Sequence, residues 1–333
     1  MKASWRNGAT DNKAIGKRYL FIIALLAVLP VLLLSGCSSR PANTLQNKAG
    51  YFGLTDKQGN SVRCIAKPQR IVSLNLRSDE ILLDLVPAER IAALSYLADD
   101  GEISNVVEQA KQIPQRVTLS AEYIIYLQPD LVIATESQPM ELIQILRDAK
   151  IPVYIYKNPK SVAEVRQVIA DMAGVVGEQE AGIRMIHKME TELAVIEKKV
   201  QKIPLDERKI VVRFTIMGGG GGQGSSFDDA CRYAGVRNGA ALAGLGMNQH
   251  LSKEQIVNIN PDVFLMPSWD YYGKTDMQQY KTDIVTDPAF QTLKAVRQKR
   301  IVEVPDNHML CTSQYMVHCV RDIFNAAYPE LAE

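Results

Sequence analysis

Residues 119–134 read LSAEYIIYLQPDLVIA, and residues 251–266 read LSKEQIVNINPDVFLM. Laid together without gaps, both give L-S-x-E-x-I-x-x-x-x-P-D followed by an apolar run. In each copy a serine, Ser120 or Ser252, is placed to cap a short helix whose second position is a glutamate, Glu122 or Glu254. A carboxylate in the first turn is stabilised by the amide end of the helix dipole. Pro129 or Pro261 ends the helix, and Asp130 or Asp262 opens a buried strand. One helix–turn–strand unit therefore occurs twice, 132 residues apart. That interval is the size of a domain and far too long for a solenoid repeat. The pair predicts an α/β chain built as two Rossmann-like lobes.

The rest of the chain fits around this pair. At 333 residues, 47% hydrophobic and 23% charged, it can bury two cores, and its formal net charge of +1 carries no signal for nucleic acid. Lys2, Arg6, Lys13, Lys17 and Arg18 precede an apolar stretch, residues 19–34, that is short for a membrane span and interrupted by Pro30. Leu34-Ser35-Gly36-Cys37 then resembles a bacterial lipoprotein signal, which implies cleavage after residue 36 and lipidation of Cys37. Residues 37–49 read as a flexible tether. The globular part is thereby expected outside the cytoplasm, held to a membrane by lipid. Cys64, Cys231, Cys311 and Cys319 remain. On one continuous helix Cys311 and Cys319 would stand about 12 Å apart, too far to bridge, so buried free thiols are expected.

Along the chain, alternating apolar residues around a turn at 56–60 predict a hairpin over 51–65. Strands are expected at 70–76 (RIVSLNL), 90–96 (RIAALSY), 130–134 and 152–156, with a helix opening at Ser78-Asp79-Glu80 and another over 140–150. Strands alternating with helices imply parallel sheets whose ligands gather beyond the strands' C-terminal ends. From 162 to 202 the chain reads as helix, nicked near Gly174 and Gly177. In its second half Met185, Met189, Leu193, Ile196 and Val200 form one apolar stripe. A helix over 178–202 would span about 37 Å, enough to bridge two lobes. The expected division is an N-terminal lobe at 50–177, a linking helix at 178–204 and a C-terminal lobe at 205–333. The second lobe restarts with KIVVRFTIM (209–217) and closes with RIVEVP (300–305) and a helix over 313–327.

Several residues stand where these strands would end. Asn75 and Arg77 follow the first, and Arg77 either pairs with a ligand carboxylate or is a solvated surface arginine. Tyr96 ends the second and either stacks on a ligand or fills a half-buried core position. Trp269, Tyr271 and Tyr272, in the loop PSWDYYGK, offer flat apolar faces with polar handles. Asp306 and His308 follow the last strong strand. A lone loop histidine can ligate haem iron or simply hydrogen-bond at the surface. The histidines share no ligand spacing, so a bare-metal site is not indicated. Gly219-x-Gly221-x-x-Gly224 matches a dinucleotide fingerprint, but five successive glycines match almost any glycine pattern. The acidic residue expected about 20 positions later is absent. The glycines are expected instead to form a bare loop that lets a bulky ligand approach, with Ser225 or Ser226 capping the next helix.

Taken in order, the hairpin, R-I-V-S-L-N with its acidic helix start, the two S-x-E…P-D units, the long helix and DPAFQTLKAVRQKRIVEVP (287–305) resemble one family. It comprises the substrate-binding proteins of ABC importers for iron chelates, haem and cobalamin, in the group whose lobes are joined by a single helix (class III). The resemblance covers roughly residues 50–330 and implies a cleft between the lobes, with small closure about a rigid helix. It also implies that Glu122 and Glu254 dock into arginines of the importer's transmembrane subunits, which work with a cytoplasmic ATPase. The implied protein is a monomeric receptor without catalysis or prosthetic group, whose cargo is a corrinoid, haem or ferric siderophore. Ser95-Tyr96 resembles the cobalamin-binding branch and places the corrinoid slightly ahead. A ligand sensor or adhesin on the same fold is the alternative, and an extracytoplasmic enzyme is another. No G-x-S-x-G, H-E-x-x-H or convincing triad supports an enzyme.

Overall fold

A computed structural model describes residues 52–332 except 57, 58, 60, 65, 271 and 272. The expected signal peptide, Cys37, the tether, Tyr271 and Tyr272 lie outside the described residues.

Strands β1 (Phe52–Thr55) and β2 (Ser61–Cys64) pair antiparallel around a turn closed by Gly59 N–H donating to Asp56 O. The next strands are β3 (Ile71–Ser73), β4 (Ile91–Ser95), β5 (Arg116–Val117), β6 (Leu131–Thr135) and β7 (Val153–Tyr156). They form a parallel sheet in the order β5-β4-β3-β6-β7. Every residue of β6 and β7 is buried, as in a parallel sheet covered on both faces. The second sheet contains β8 (Ile210–Thr215), β9 (Gly218–Gly220), β10 (Arg237–Asn238), β11 (Val263–Pro267) and β12 (Ile301–Val304). Its parallel order is β10-β8-β11-β12, with β9 antiparallel to β8.

The helices that position the site are α1 (Leu76–Leu85), α2 (Ala121–Tyr126), α3 (Met140–Asp148), α4 (Val162–Val176), α5 (Gln179–Val200), α6 (Ser226–Tyr233), α7 (Lys253–Ile259), α8 (Asp306–Met309) and α9 (Met316–Ala327). Helices α2 and α7 are the repeated units. Ser120 and Ser252 accept from the backbone N–H three residues on, and Glu122 and Glu254 occupy the second helical position. The aspartate of each P-D pair has a use that the sequence did not disclose. Asp130 accepts from the N–H groups of Gln69 and Arg70, and Asp262 from that of Ile210. Each lobe thus pins the entry to its central strand with the same carboxylate.

Helix α5 carries the expected stripe. Met185, Met189, Leu193, Ile196 and Val200 are buried in a cluster that also holds Ile71 and Leu131 of the first sheet and Val211 and Leu265 of the second. The linking helix is therefore the floor of a core common to both lobes. Gly182 brings α5 close to α4: a Cβ added there would lie 2.5 Å from that of Ala173.

Four expectations need correction. Helix α1 begins at Leu76, ahead of Ser78, because Asn75 caps it by accepting from Ser78 N–H. Helix α4 runs straight through Gly174 and stops only at Gly177, which takes a left-handed φ of 74°. The closing helix begins at Met316 rather than near 313, leaving Cys311 outside it, and the four described cysteines are free and buried. The glycine run is not an open loop. Gly218–Gly220 is a strand laid on β8, and Leu251 and His250 occupy the space where side chains of Gly219 and Gly220 would stand. The expectation about capping holds, with Ser225 as the cap of α6.

Candidate functional site

The C-terminal ends of the two sheets face one another across a cavity of about 270 Å³. Its walls come from both lobes: Leu76, Arg77 and Leu97 on one side, Trp269, Leu310 and Thr312 on the other, with Glu80 and Cys311 at the back. Trp269 reaches this place because Asp306, at the start of α8, accepts from the N–H groups of Ser268 and Trp269, each at 2.9 Å. Asp306 is buried, and burial raises its carboxyl above the ordinary range despite these bonds.

Arg77 spans the cleft, donating from Nε to Thr312 Oγ1 and from Nη1 to Asn158 Oδ1, the latter at 2.8 Å. Asn75 uses its Oδ1 for the helix cap and for Tyr156 O–H at 2.7 Å. Its buried Nδ2 has no partner among the described residues. Tyr96 follows β4 at the head of a 3₁₀ turn, with 51% of its surface exposed. Ser95, its neighbour in sequence, is instead turned inward, where its N–H and hydroxyl both donate to buried Asp79. Only the tyrosine of that pair stands at the surface.

His308 is on α8, but its Nδ1 pairs with Asp322 Oδ2 at 2.6 Å and its ring stands edge-on to His318 at 4.8 Å. Both partners belong to α9. The cavity therefore unites Arg77 and Trp269, while Asn75 is spent on the helix cap and Tyr156, Asp306 supports the tryptophan loop and His308 is occupied by α9.

Behind Arg77, Glu80 joins the lobes. One oxygen accepts from Asn105 N–H and Nδ2, at 3.0 and 2.8 Å, and the other from Ser313 Oγ at 2.6 Å and Cys311 Sγ at 3.3 Å. Gln314 donates to the Glu80 carbonyl, and Asn105 to the carbonyl of Asn307. Burial raises the Glu80 carboxyl, and it pushes neighbouring Asp79 up to about 7.

Sequence reasoning missed Arg213. It lies in β8, one position before Phe214, and its guanidinium stands 5.8 Å from the Phe227 ring. Asp306, Cys231 and Cys319 surround it electrostatically, yet no hydrogen bond or ion pair to it is seen among the described residues. Burial lowers its affinity for the proton. The available signal was a charge in the middle of an apolar strand.

Glu122 and Glu254 are exposed on separate lobes. Hydrogen bonds from its own amide and from Ser120 hold the Glu122 carboxyl below the ordinary range. For Glu254 the Ser252 hydroxyl, then its own amide, does the same. Both are therefore firmly anionic.

Residues 71–308 match the sequence profile of the family described as periplasmic binding protein. Among solved structures, the chain is similar to the periplasmic heme-binding protein RhuT from Roseiflexus sp. RS-1. Identity is 26% and TM-score 0.65, over 80% of this chain and 99% of that one. A possible iron-binding, periplasmic solute-binding protein from Staphylococcus epidermidis matches at 20% identity and TM-score 0.65, over 79% and 99%. The Haemophilus influenzae molybdate-binding protein MolA matches at 18% and 0.69, over 84% and 92%. No curated protein sequence matches the chain. The likenesses below 25% identity speak for the fold alone.

Proposed function

Since the chain belongs to the periplasmic binding protein family, we propose that it is a receptor that captures a metal chelate between its lobes and hands it to an ABC importer. Members of the family work outside the cytoplasm with permease and ATPase subunits. On this reading residues 178–204 link a ligand-gripping lobe at 50–177 to another at 205–333. Cys37 carries the lipid that keeps the receptor at the membrane. Glu122 and Glu254 are the two points that meet basic residues of the permease, where paired carboxylate–arginine contacts give register as well as attraction. No chemical step on the cargo is proposed.

The observation that carries the reading is the two-walled cavity itself. Leu76, Leu97, Leu310 and Trp269 offer apolar surface, and Arg77 crosses it as a cation. Such a set suits a flat, largely apolar ligand that brings its own anionic oxygens. Among the cargoes the sequence suggested, haem, with its two carboxylates, fits this description better than a corrinoid. The Ser95-Tyr96 motif loses its weight because the serine serves Asp79. The Roseiflexus protein, heme-binding by name, supports the same order. At about 270 Å³ the cavity lies just under the usual range for ligand pockets, so a macrocycle enters by slight opening and leaves one edge in solvent.

The test is fluorescence of the full chain carrying Trp5→Phe, which leaves Trp269 as the reporter, titrated with hemin, cyanocobalamin and ferrichrome. Saturable quenching by hemin with a shifted Soret band supports the proposal. Calorimetric binding of one of the others instead of hemin would replace the cargo while keeping the receptor. Binding of none of the three would sink the metal-chelate reading.

A further inference from the structure

The repeated L-S-x-E unit allows each position on one lobe to be compared with its counterpart on the other. The carboxylates match, but their surroundings do not. Leu119 is 52% exposed, whereas its counterpart Leu251 is 7% exposed. The cause is β9: Leu251 donates its N–H to Gly219 O and packs its side chain onto that glycine, within 3.2 Å of where a Cβ would be. Among the described residues the first sheet has no antiparallel strand of this kind, and Leu119 stays in solvent. One turn further on, Ile125 and Val257 are equally exposed, but Tyr126, at 78%, answers to a polar Asn258.

Ile125 and Tyr126 are three and four residues after Glu122 on α2, which puts all three on one helix face. Tyr126 also stacks with Tyr123, ring centroids 6.3 Å apart and planes 18° from parallel, which steadies the exposed ring. Glu122 therefore sits within an apolar and aromatic collar. Around Glu254 the same helix face offers Val257 and Asn258, and the adjacent Lys253 is engaged with Asp287 at 2.6 Å.

Clustered exposed apolar side chains mark interaction surfaces, and aromatics beside a carboxylate suit arginine in particular: the guanidinium edge forks onto the carboxylate while its face lies on the ring. We propose that the receptor's two docking ends are unequal: the α2 end anchors an arginine-bearing, apolar-flanked segment of the permease between Glu122 and Tyr126, while the α7 end contributes an ion pair alone. This rests on the docking role given above to Glu122 and Glu254. It adds that one lobe dominates affinity, and that the receptor takes one orientation on a permease of two similar halves.

The experiment measures binding of the full chain to its cognate permease–ATPase complex in nanodiscs, at low and high salt. Leu119→Ser/Tyr126→Ser should weaken binding roughly tenfold or more at both salt concentrations, the size expected when an interface anchor is lost. Tyr126→Phe, which keeps the ring, should bind like the parent, and Val257→Ser should change affinity less than about twofold. Glu122→Ala/Glu254→Ala should also weaken binding, mainly at low salt. Unchanged melting temperature and hemin affinity would confirm that the variants are folded. If the collar variant binds like the parent while the double glutamate variant does not, the docking role stands and the unequal-ends inference falls. If the double glutamate variant also binds like the parent, both fall. Self-association that Tyr126→Ser abolishes would assign the collar to a second copy of this chain and overturn the proposal.

Discussion

Arg213 interrupts an apolar strand, and the fold gives its charge no acceptor among the described residues. A half-buried cation left without an anion lowers stability and is retained where a ligand supplies one. Arg213→Met should therefore raise the melting temperature of the ligand-free protein. It should also weaken hemin binding roughly ten- to a hundredfold, the worth of a charged hydrogen bond. Hemin dimethyl ester, which lacks the carboxylates, should bind parent and variant alike, and equal losses for both ligands would remove Arg213 from the site. Asp79 makes a second prediction at this scale. Burial lifts its carboxyl from 3.8 to about 7 in the folded chain. Between those values the folded state holds a proton that the unfolded state has released, so stability falls as pH rises through this window, by at most about 1.4 kcal/mol per pH unit. Asp79→Asn should flatten that decline between pH 5 and 7 in urea titrations. A slope equal to the parent's would show that other groups cause it. Neither role was legible beforehand: Arg213 answers to Asp306 and Cys319, far along the chain, and Asp79 to Ser73 and Ser95, which only the fold turns inward around it.

Elements were more readable than residues wherever local chemistry set their limits. The two S-x-E…P-D units follow from a serine cap, a first-turn acid and a proline, all within a dozen residues, and they stand as expected. The apolar stripe of α5 was likewise visible, since a single period repeats over the helix. The glycine run misled because its composition suggests freedom, whereas its conformation is decided by Leu251 and His250, some thirty residues later. The start of α1 was misplaced for a smaller reason: Asn75 and Ser78 are both competent caps, and Asn75 serves as the cap while the Ser78 hydroxyl is engaged with Ser73 and the Asn75 carbonyl. The approach of α4 to α5 can be tested directly. Gly182→Ala would press a methyl group on Ala173 and should cost about 1–3 kcal/mol in urea unfolding. Adding Ala173→Gly should recover part of that loss, beyond what the two single changes would give by addition. Simple additivity would place the strain elsewhere.

For the whole molecule, the cluster around α5 matters most, because it includes strands of both sheets. Two lobes with separate cores would melt in two steps; a shared core should make the receptor unfold as one unit. Calorimetry should accordingly give equal calorimetric and van't Hoff enthalpies, and a resolved second transition would mean that the lobes are independent. The two-lobed plan was legible from the repeated unit and the long helix. Arg77 and Trp269 of the cleft's lining were anticipated, but Leu97, Leu310 and Thr312 were not, because their place depends on how the second lobe is brought opposite α1. The single helical crossing has one more consequence. Each wall of the cleft is a binding module too sparse to hold a ligand by itself, and α5 keeps each in the other's presence at a high effective concentration. A ligand that touches one wall meets the second as an intramolecular event, with the cost of bringing the walls together already met when the chain folded.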